Sequence, residues 1–217
     1  MRVRGREVLR NPRRGHPERS TTTGATNPPY PQALDPDVAY DGDDLRRELE
    51  RILRETEPTL IAVPDPADAH PDHRATGLFT LLALEQVARE RAAQPGTQMP
   101  EVLLYLVHWR GWPAGFTSPT PPGPDTPLEL PQDLREPGLA RVALTLSDAE
   151  RSAKAAALAR HASQQEIMAS FLRAFVRRSE PFRMLGSADL AEITASVERS
   201  IESQRSSPAL RPPPRKG

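Results

Sequence analysis

Proline decides where regular structure can form in this chain, because its ring fixes φ and removes a backbone hydrogen-bond donor. The 217 residues include 25 prolines. Most of them fall within residues 12–36, residues 113–137 and the C-terminal tail. The stretches between these regions contain few prolines. We therefore expect a compact core of moderate size, built from those stretches and joined by long irregular connections.

The composition excludes several classes of protein. Lys plus Arg and Asp plus Glu both total 29, so the formal net charge is zero, whereas nucleic-acid-binding proteins usually carry a basic excess. Cysteine is absent, so a metal site has to use His, Asp or Glu. No apolar stretch approaches the roughly 20 residues of a membrane span, and the basic N-terminus lacks the apolar segment of a secretory signal. We expect a cytoplasmic protein without nucleic-acid partners.

Three parts are expected along the chain. Residues 1–29 are rich in Arg, Thr and Pro without an apolar period, and they are expected to be disordered; a basic arm for an acidic partner is the alternative. Residues 30–182 carry the periodic segments and are expected to form the structured domain. Residues 183–217 are expected to form a short helix, over about 187–203, followed by a disordered Pro-rich tail.

Helical and extended segments alternate after residue 40. Apolar residues recur at helical spacing within 41–57 and 74–93, which predicts two helices. Short apolar runs at 59–63 and 101–107 predict two buried strands. This order and spacing predict an α/β fold, with a Rossmann-like parallel sheet and flanking helices.

The second half of the chain has a different pattern. Residues 111–140 are rich in Pro, Gly and Thr, and we expect them to form a long loop that shapes a pocket. The stretch from Ser147 to Glu150 fits a capping box and predicts one long helix that continues to about residue 177.

The strongest local pattern is DAHPDH at residues 68–73, directly after the predicted strand at 59–63. Ligands in open α/β sheets bind beyond the carboxyl ends of strands, so two imidazoles and two carboxylates lie where such folds place their chemistry. A solvated turn is the alternative, but two histidines that bracket Pro-Asp favour a functional site. Asp72 can cap the following helix, and it can also hold a ring N–H of a metal-bound histidine.

Four further residues are candidates on weaker grounds. His108 ends the second predicted strand and either lines the site or belongs to the core with Trp109. Arg110 can bind an anionic group of a substrate. Asp65 either contacts substrate or caps a loop, and a strand-end Asp is more often a cap. His161 lies inside the predicted long helix, where a half-buried polar contact is expected.

The stretch DAHPDHRATG resembles the second signature of the PIG-L/LmbE deacetylases, Asp-x-His-Pro-Asp-His leading into a helix. Weaker similarities extend the likeness from about Tyr30 to Phe182. They lie at Asp43-Asp44-Leu45, at the strand ending in His108-Trp109, and at Lys154 and Ser163-Gln164. The resemblance implies zinc-dependent hydrolysis of the N-acetyl group of a GlcNAc-containing small molecule or glycolipid.

The resemblance also implies residue roles. His73 corresponds to a zinc ligand. His70 corresponds to the histidine that stabilises the tetrahedral intermediate or protonates the leaving amine, after a metal-activated water has attacked the acetamide carbonyl. Asp72 belongs to the same catalytic element. The residues assigned to substrate binding are Asp68, His108 and Arg110. The expected partner is an N-acetylated amino sugar, and the sequence is compatible with an oligomer.

The first signature of that family, Ala-His-Pro-Asp-Asp, does not occur in this sequence. In the family it supplies a zinc-binding His and Asp and a carboxylate that acts as general base. The nearest string here is GHPER at residues 15–19, which lacks paired acids and a preceding apolar strand. We expect the N-terminal strand before that signature to be missing as well. Three interpretations therefore stay open: an N-deacetylase, a catalytically inactive truncated remnant, and a sugar-binding module.

Overall fold

The computed structural model describes residues 19–20, 23–92, 99–113, 122–134, 139–186, 189–195 and 199. The named elements are α1 (Gly42–Thr56), β1 (Leu60–Pro64), α2 (Pro71–Arg91), β2 (Glu101–Tyr105), β3 (Ala140–Thr145), α3 (Asp148–Ala159), α4 (Ala162–Arg173) and β4 (Ser179–Leu185). Residues 189–195 are also helical, within the predicted last helix. Most of the N-terminal segment and of the tail predicted to be disordered lies outside the described residues. None of the described helices combines the length and apolar character that crossing a bilayer requires.

Two compact units divide the chain. The first falls within residues 1–57, 78–98 and 187–217, and the second within residues 58–77 and 99–186. The first unit contains α1 and most of α2. The second unit contains the sheet, the first turns of α2, and α3 and α4.

The sequence of α1 explains its ends. The Asp41 carboxylate accepts the backbone N–H groups of Asp43 (2.8 Å) and Asp44 (3.2 Å), as an N-cap does. Glu57 ends the helix in the left-handed region, at a φ of 43°, and Pro58 prevents its continuation. The helix predicted over 41–57 is confirmed.

Proline also sets the start of α2. The helix begins at Pro71, ahead of the predicted start at residue 74, because proline's fixed φ and missing N–H suit the first helical position. Within the first unit, the apolar side chains of α2 are buried. They include Phe79, Leu81, Leu82, Leu84 and Val87.

The second unit is built on a four-stranded sheet in the order β1-β2-β4-β3. The two predicted strands, β1 and β2, pair in parallel, with Leu60 opposite Glu101 and Pro64 opposite Tyr105. The α/β class and this parallel pairing are confirmed. β4 pairs antiparallel with both β2 and β3, so the sheet is mixed and not wholly parallel.

β3 and β4 run in opposite directions, and two helices, α3 and α4, connect them. This connection returns the chain to the end of the sheet at which β3 finishes. Thr145, the last residue of β3, accordingly pairs with Ser179, the first residue of β4. β4 is not among the strands predicted from the sequence. Its burial alternates as in a strand, but Pro181 in its interior argues against one.

The long helix predicted over 147–177 is two helices, α3 and α4, with a break at Arg160 and His161. The capping box at its start is confirmed. Ser147 Oγ accepts the Glu150 N–H (3.3 Å), and the Glu150 carboxylate accepts the Ser147 N–H (2.8 Å). Neither glycine nor proline marks the break, so periodicity alone does not locate it. His161 is exposed at the N-cap of α4, which corrects its expected half-buried position.

The described part of the Pro-rich segment, residues 122–134, is packed although it lacks regular structure. Its leucines contribute to a buried cluster in the second unit. This cluster contains Leu106, Trp112, Leu128, Leu130 and Leu134. The predicted loop is therefore a component of the core as well as a connection. Its segments 114–121 and 135–138 lie outside the described residues.

Gly77 allows a close approach between α2 and the end of β1. A Cβ at this position would meet the Pro64 carbonyl oxygen well inside van der Waals contact, and would lie 3.4 Å from the Pro66 nitrogen. Gly77→Ala is therefore expected to lower the free energy of unfolding by about 1–3 kcal/mol, as overpacking does, despite alanine's better helix propensity. Urea unfolding followed by circular dichroism measures the difference.

Gly123→Ala is the matched control, because no atom of the described residues lies within 4 Å of the position that its Cβ would take. We expect this control to be as stable as the parent chain. Equal stability of the Gly77 and Gly123 variants would contradict the close approach of α2 to β1.

Candidate active site

Two loops meet at the carboxyl ends of β1 and β2, where an α/β sheet holds its ligands. The Asp65 N–H donates to the Tyr105 carbonyl (2.7 Å), and the Ala69 N–H donates to the His108 carbonyl (2.8 Å). Hydrogen bonding between the two strands thus continues past their ends. It holds the DAHPDH motif beside residues 106–108.

A buried ion pair anchors the first of these loops to β4. Arg183 donates from Nε to Asp65 Oδ2 (2.7 Å) and from Nη2 to Asp65 Oδ1 (2.6 Å). The two side chains are 2% and 1% exposed. Asp65 Oδ1 also accepts the Ala67 N–H (2.8 Å). Asp65 therefore caps the loop, the more common of the two roles expected for it, and its burial keeps it from a substrate.

Asp68 is fully buried, and its carboxylate accepts hydrogen bonds from several residues of the site. Oδ2 accepts the backbone N–H groups of Val107 (2.8 Å) and His108 (2.9 Å), and also the ring Nδ1–H of His73 (3.3 Å). Oδ1 accepts the His70 N–H (2.8 Å). The side chain is inaccessible and both oxygens are occupied, so Asp68 supports the site from within, and its assignment to substrate binding stays a prediction.

These hydrogen bonds set the charge of Asp68. Burial alone would raise its pKa, but the hydrogen bonds from the His73 ring and from the backbone N–H groups outweigh burial. They hold the pKa of Asp68 below its ordinary value of 3.8. Asp68 is therefore a carboxylate at neutral pH, and a carboxylate beside His73 requires the proton of that ring to lie on Nδ1.

Three imidazoles lie together over this carboxylate. The ring centres of His70 and His73 are 4.8 Å apart. Those of His70 and His108 are 5.2 Å apart, and those of His73 and His108 are 5.0 Å apart. The structure thus brings the two histidines of the motif together with the histidine that follows β2.

Hydrogen bonds at Nδ1 favour different tautomers for the two histidines of the motif, His70 and His73. His70 Nδ1 accepts the Asp72 N–H (3.2 Å), so a neutral His70 carries its proton on Nε2 and is a donor there. His73 Nδ1 donates to Asp68, so a neutral His73 has a lone pair on Nε2. The carboxylate that holds the His73 ring is that of Asp68, and a role for the Asp72 carboxylate at a metal-bound histidine stays a prediction. It is the backbone N–H of Asp72 that orients His70.

His108 is half-buried and stacks on Phe171 of α4, with ring centres 5.3 Å apart and planes within 9°. Burial lowers the pKa of His108; Asp68 opposes this effect, and His73 and His70 reinforce it. The neutral imidazole is therefore the main form of His108 at pH 7. Among the residues that the structure describes, no side chain or backbone group forms a hydrogen bond with its ring nitrogens.

Sequence reasoning missed two residues that shape the site. Arg183 gave no signal, because arginine is frequent throughout the chain and β4 was not predicted. Phe171 lies within the predicted long helix and was given no role in the site; it stacks on His108 from the part of α4 that follows a kink at Met168. Arg110 is exposed after β2, and its assignment to substrate binding stays a prediction.

The side chains of this site are of a type that binds zinc, because imidazole nitrogens are common zinc ligands. His73 has its Nδ1 on a buried carboxylate, as metal-bound histidines usually do, and the neutral imidazole of His108 lies alongside. In the part of the chain that the structure describes, no group of three or more His, Asp or Glu side chains is arranged to hold a metal ion. The described residues therefore offer a portion of a zinc site.

Comparison with known families finds a match for the first part of the chain. Residues 6–84 match the family model PIG-L, described as GlcNAc-PI de-N-acetylase. The matched stretch covers less than half of the chain; it contains the motif with His70 and His73, and it ends before His108. It also includes residues 6–29, which the sequence analysis places outside the structured domain. No curated protein and no solved structure gives a significant match.

Proposed function

We propose that this chain is a PIG-L-type N-deacetylase that hydrolyses the N-acetyl group of a GlcNAc-containing small molecule or glycolipid. The observation that carries the proposal is the cluster of His70, His73 and His108 around the buried Asp68, at the carboxyl ends of two parallel strands. The family match over residues 6–84 supports it, because that stretch contains both histidines of the motif.

His73 is the residue proposed to hold zinc, through Nε2. Its Nδ1–H is fixed on Asp68, and a carboxylate in that position orients the ring and raises its basicity toward a metal. When bound, zinc polarises an acyl oxygen and lowers the pKa of a water molecule toward neutrality.

His70 is the residue proposed to donate a proton or hydrogen bond to the substrate. The Asp72 N–H occupies its Nδ1, so the neutral ring carries its proton on Nε2, and the ring lies beside that of His73. A donor there can stabilise negative charge on the acetamide oxygen as the carbonyl is attacked, or it can protonate the departing amine. Asp72 contributes by fixing the tautomer of His70.

A sugar-binding module without catalysis is the second candidate. One observation favours it. Asp68, the most deeply buried carboxylate of the described site, accepts hydrogen bonds at both oxygens. Asp68 therefore cannot serve as the general base. In that case the stacked His108 and Phe171 would form part of a pocket wall.

Acetate release from GlcNAc derivatives by the full chain, with Zn²⁺ added, tests the proposal. His70→Ala is expected to lower the rate by about 100-fold or more, because general acid–base groups contribute effects of that size. His161→Ala is the matched control, since His161 is exposed and makes no capping hydrogen bond. Its rate is expected to equal that of the parent chain.

The two candidates give different results in this assay. Acetate release that is insensitive to His70→Ala would reject the proposed catalytic role. No acetate release by the parent chain would reject the deacetylase, and saturable GlcNAc binding, measured by calorimetry in the same samples, would then support the sugar-binding module.

A further inference from the structure

The sheet of the second unit buries only one of its two faces. Successive side chains of a strand point to opposite faces, and buried and half-buried residues alternate along β4 in the same way. Val102 and Leu104 of β2 pair with Leu185 and Arg183 of β4, and all four side chains are buried. The residues between them belong to the opposite face.

This opposite face, called the open face below, is apolar at its centre. The register of the four strands places six apolar or aromatic side chains on it. They are Ala62 of β1, Leu103 and Tyr105 of β2, Val142 of β3, and Phe182 and Met184 of β4. All six are half-buried or exposed. Where one face of a sheet meets water, its outward residues are usually polar. The open face therefore has the composition of a surface that is covered.

The charged residues of the open face lie at its margin. They are Glu101 and Glu180, at the first and second positions of β2 and β4. The Glu180 carboxylate accepts a hydrogen bond from the Lys154 ammonium group of α3, which balances its charge. Arg141 and Arg183 pair with each other in the register, on the other face of the sheet. An apolar centre within a charged margin is typical of a protein interface.

The four largest side chains of the open face lie on the two central strands, β2 and β4. Leu103 pairs with Met184, and Tyr105 and Phe182 follow on the same two strands. Aromatic residues and Met are enriched at the centres of interfaces, where charged residues are depleted. Because this centre carries no charge, two copies of it can meet without electrostatic repulsion.

The size of the open face also suits contact with a second copy. Four strands about 4.8 Å apart, each of about six residues at about 3.3 Å, give a face of about 20 Å by 20 Å. Two such faces, stacked about 10 Å apart as packed sheets are, would bury roughly 1,000 Å² in total. This area is near the lower limit of a specific interface, so we expect a dimer that dissociates on dilution.

The terminal stretches outside the described residues match the open face less well. Residues 1–18 are rich in Arg, and residues 200–217 are rich in Pro and Ser. Stretches of such composition bury little apolar surface. A second sheet face of the same kind is the better match in both shape and chemistry.

We propose that two copies of this chain associate through their open faces, with Leu103, Tyr105, Phe182 and Met184 at the centre of the interface. Residues on the buried face of the sheet, among them Arg183, take no part in this contact. The proposal rests on the sheet alone and is independent of the deacetylase activity.

Sedimentation velocity of the full chain, over a wide range of protein concentration, tests the proposal. The variant is Leu103→Glu, which places a charge at the centre of the open face. The matched control is Ile167→Glu, because Ile167 is 83% exposed on α4 and lies outside the sheet. We expect a reversible dimer for the parent and the control. Dimerisation of Leu103→Glu is expected to be at least about 30-fold weaker, as for a central interface residue.

Cross-linking keeps the test sound if Leu103→Glu does not fold, as judged by circular dichroism. The chain contains no cysteine, so a single introduced cysteine reports only its own position. A bismaleimide that spans about 10 Å, the separation of stacked sheets, is expected to link two copies of Leu103→Cys. It is expected to leave Ile167→Cys mainly monomeric.

Three outcomes would overturn the proposal: a parent chain that is monomeric at every concentration, parent-like dimerisation by folded Leu103→Glu, or equal cross-linking of the two cysteine variants. Flotation of a monomeric parent with phosphatidylcholine vesicles, lost in Leu103→Glu, would assign the open face to a membrane surface and would likewise reject the second copy.

Discussion

Arg183→Met is expected to lower the free energy of unfolding by about 3–5 kcal/mol, because it leaves the buried Asp65 carboxylate without its partner. The pair is bidentate, with N–O distances of 2.7 and 2.6 Å, and is almost inaccessible to solvent. A domain of this size has a total stability of about 5–15 kcal/mol, so the variant loses a large part of it. Urea unfolding measures the loss.

The matched control is Arg178→Met, since Arg178 is exposed close by in the same segment; a change within about 0.5 kcal/mol is expected. A further variant isolates the ion pair from the packing of Arg183. Asp65→Asn in the Arg183→Met background removes the unpaired charge. Its amide oxygen can still accept the Ala67 N–H that Asp65 Oδ1 accepts in the parent chain. This second change should recover at least about 1 kcal/mol of the free energy of unfolding. An Arg183→Met chain as stable as the parent would contradict a buried pair.

Asp68→Asn is expected to lower the free energy of unfolding by about 3 kcal/mol at neutral pH. The amide keeps the shape of the side chain, but its NH₂ group must face N–H donors on one side or the other. Either the His70 N–H or the group formed by Val107, His108 and His73 then loses its acceptor. Each buried donor left unsatisfied costs about 1–3 kcal/mol.

The pH dependence of this difference follows from the pKa of Asp68, which lies below its ordinary value of 3.8 in the folded chain. The stabilisation by the carboxylate is complete above that ordinary value, and it is lost as the pH falls through the folded pKa. The gap in unfolding free energy between the parent and Asp68→Asn should therefore be constant near neutrality and shrink in acid. Parallel curves down to low pH would contradict the role of the carboxylate.

Asp72→Asn is the control within the same motif. The described residues give the Asp72 carboxylate no hydrogen bond, and its backbone N–H to His70 is preserved in the variant. The substitution removes only the interaction of the Asp72 charge with the start of α2. It is therefore expected to lower the free energy of unfolding by about 1 kcal/mol or less. The Asp68 and Asp72 variants thus separate a buried structural carboxylate from a helix-start carboxylate.

Local patterns were enough to predict the elements around the motif. The apolar period located α1, and short apolar runs located β1 and β2. The position of DAHPDH directly after β1 predicted that His70 and His73 lie at the carboxyl end of the sheet. Each of these features depends on residues that are close together in the sequence, where propensity and capping act directly.

The partners of those residues come from distant parts of the chain, and no local pattern identifies them. Arg183 contacts Asp65 from β4. Pro181 in the interior of that strand argues against predicting a strand there. Phe171 stacks on His108 from α4, which is set off from α3 at His161 and kinked again at Met168. The leucines of the Pro-rich segment pack in the core although their neighbours in sequence predict a loop.

The sequence by itself determined the α/β class, the parallel pair of strands and the two histidines at their ends, because periodicity, capping and proline act over a few residues. The tertiary structure alone decided the mixed sheet, the burial of Asp68 and the joining of His108 to the motif histidines. Those depend on which segments meet across the sheet. The free energy of such contacts comes from burial and from hydrogen bonds between residues that are far apart in the chain.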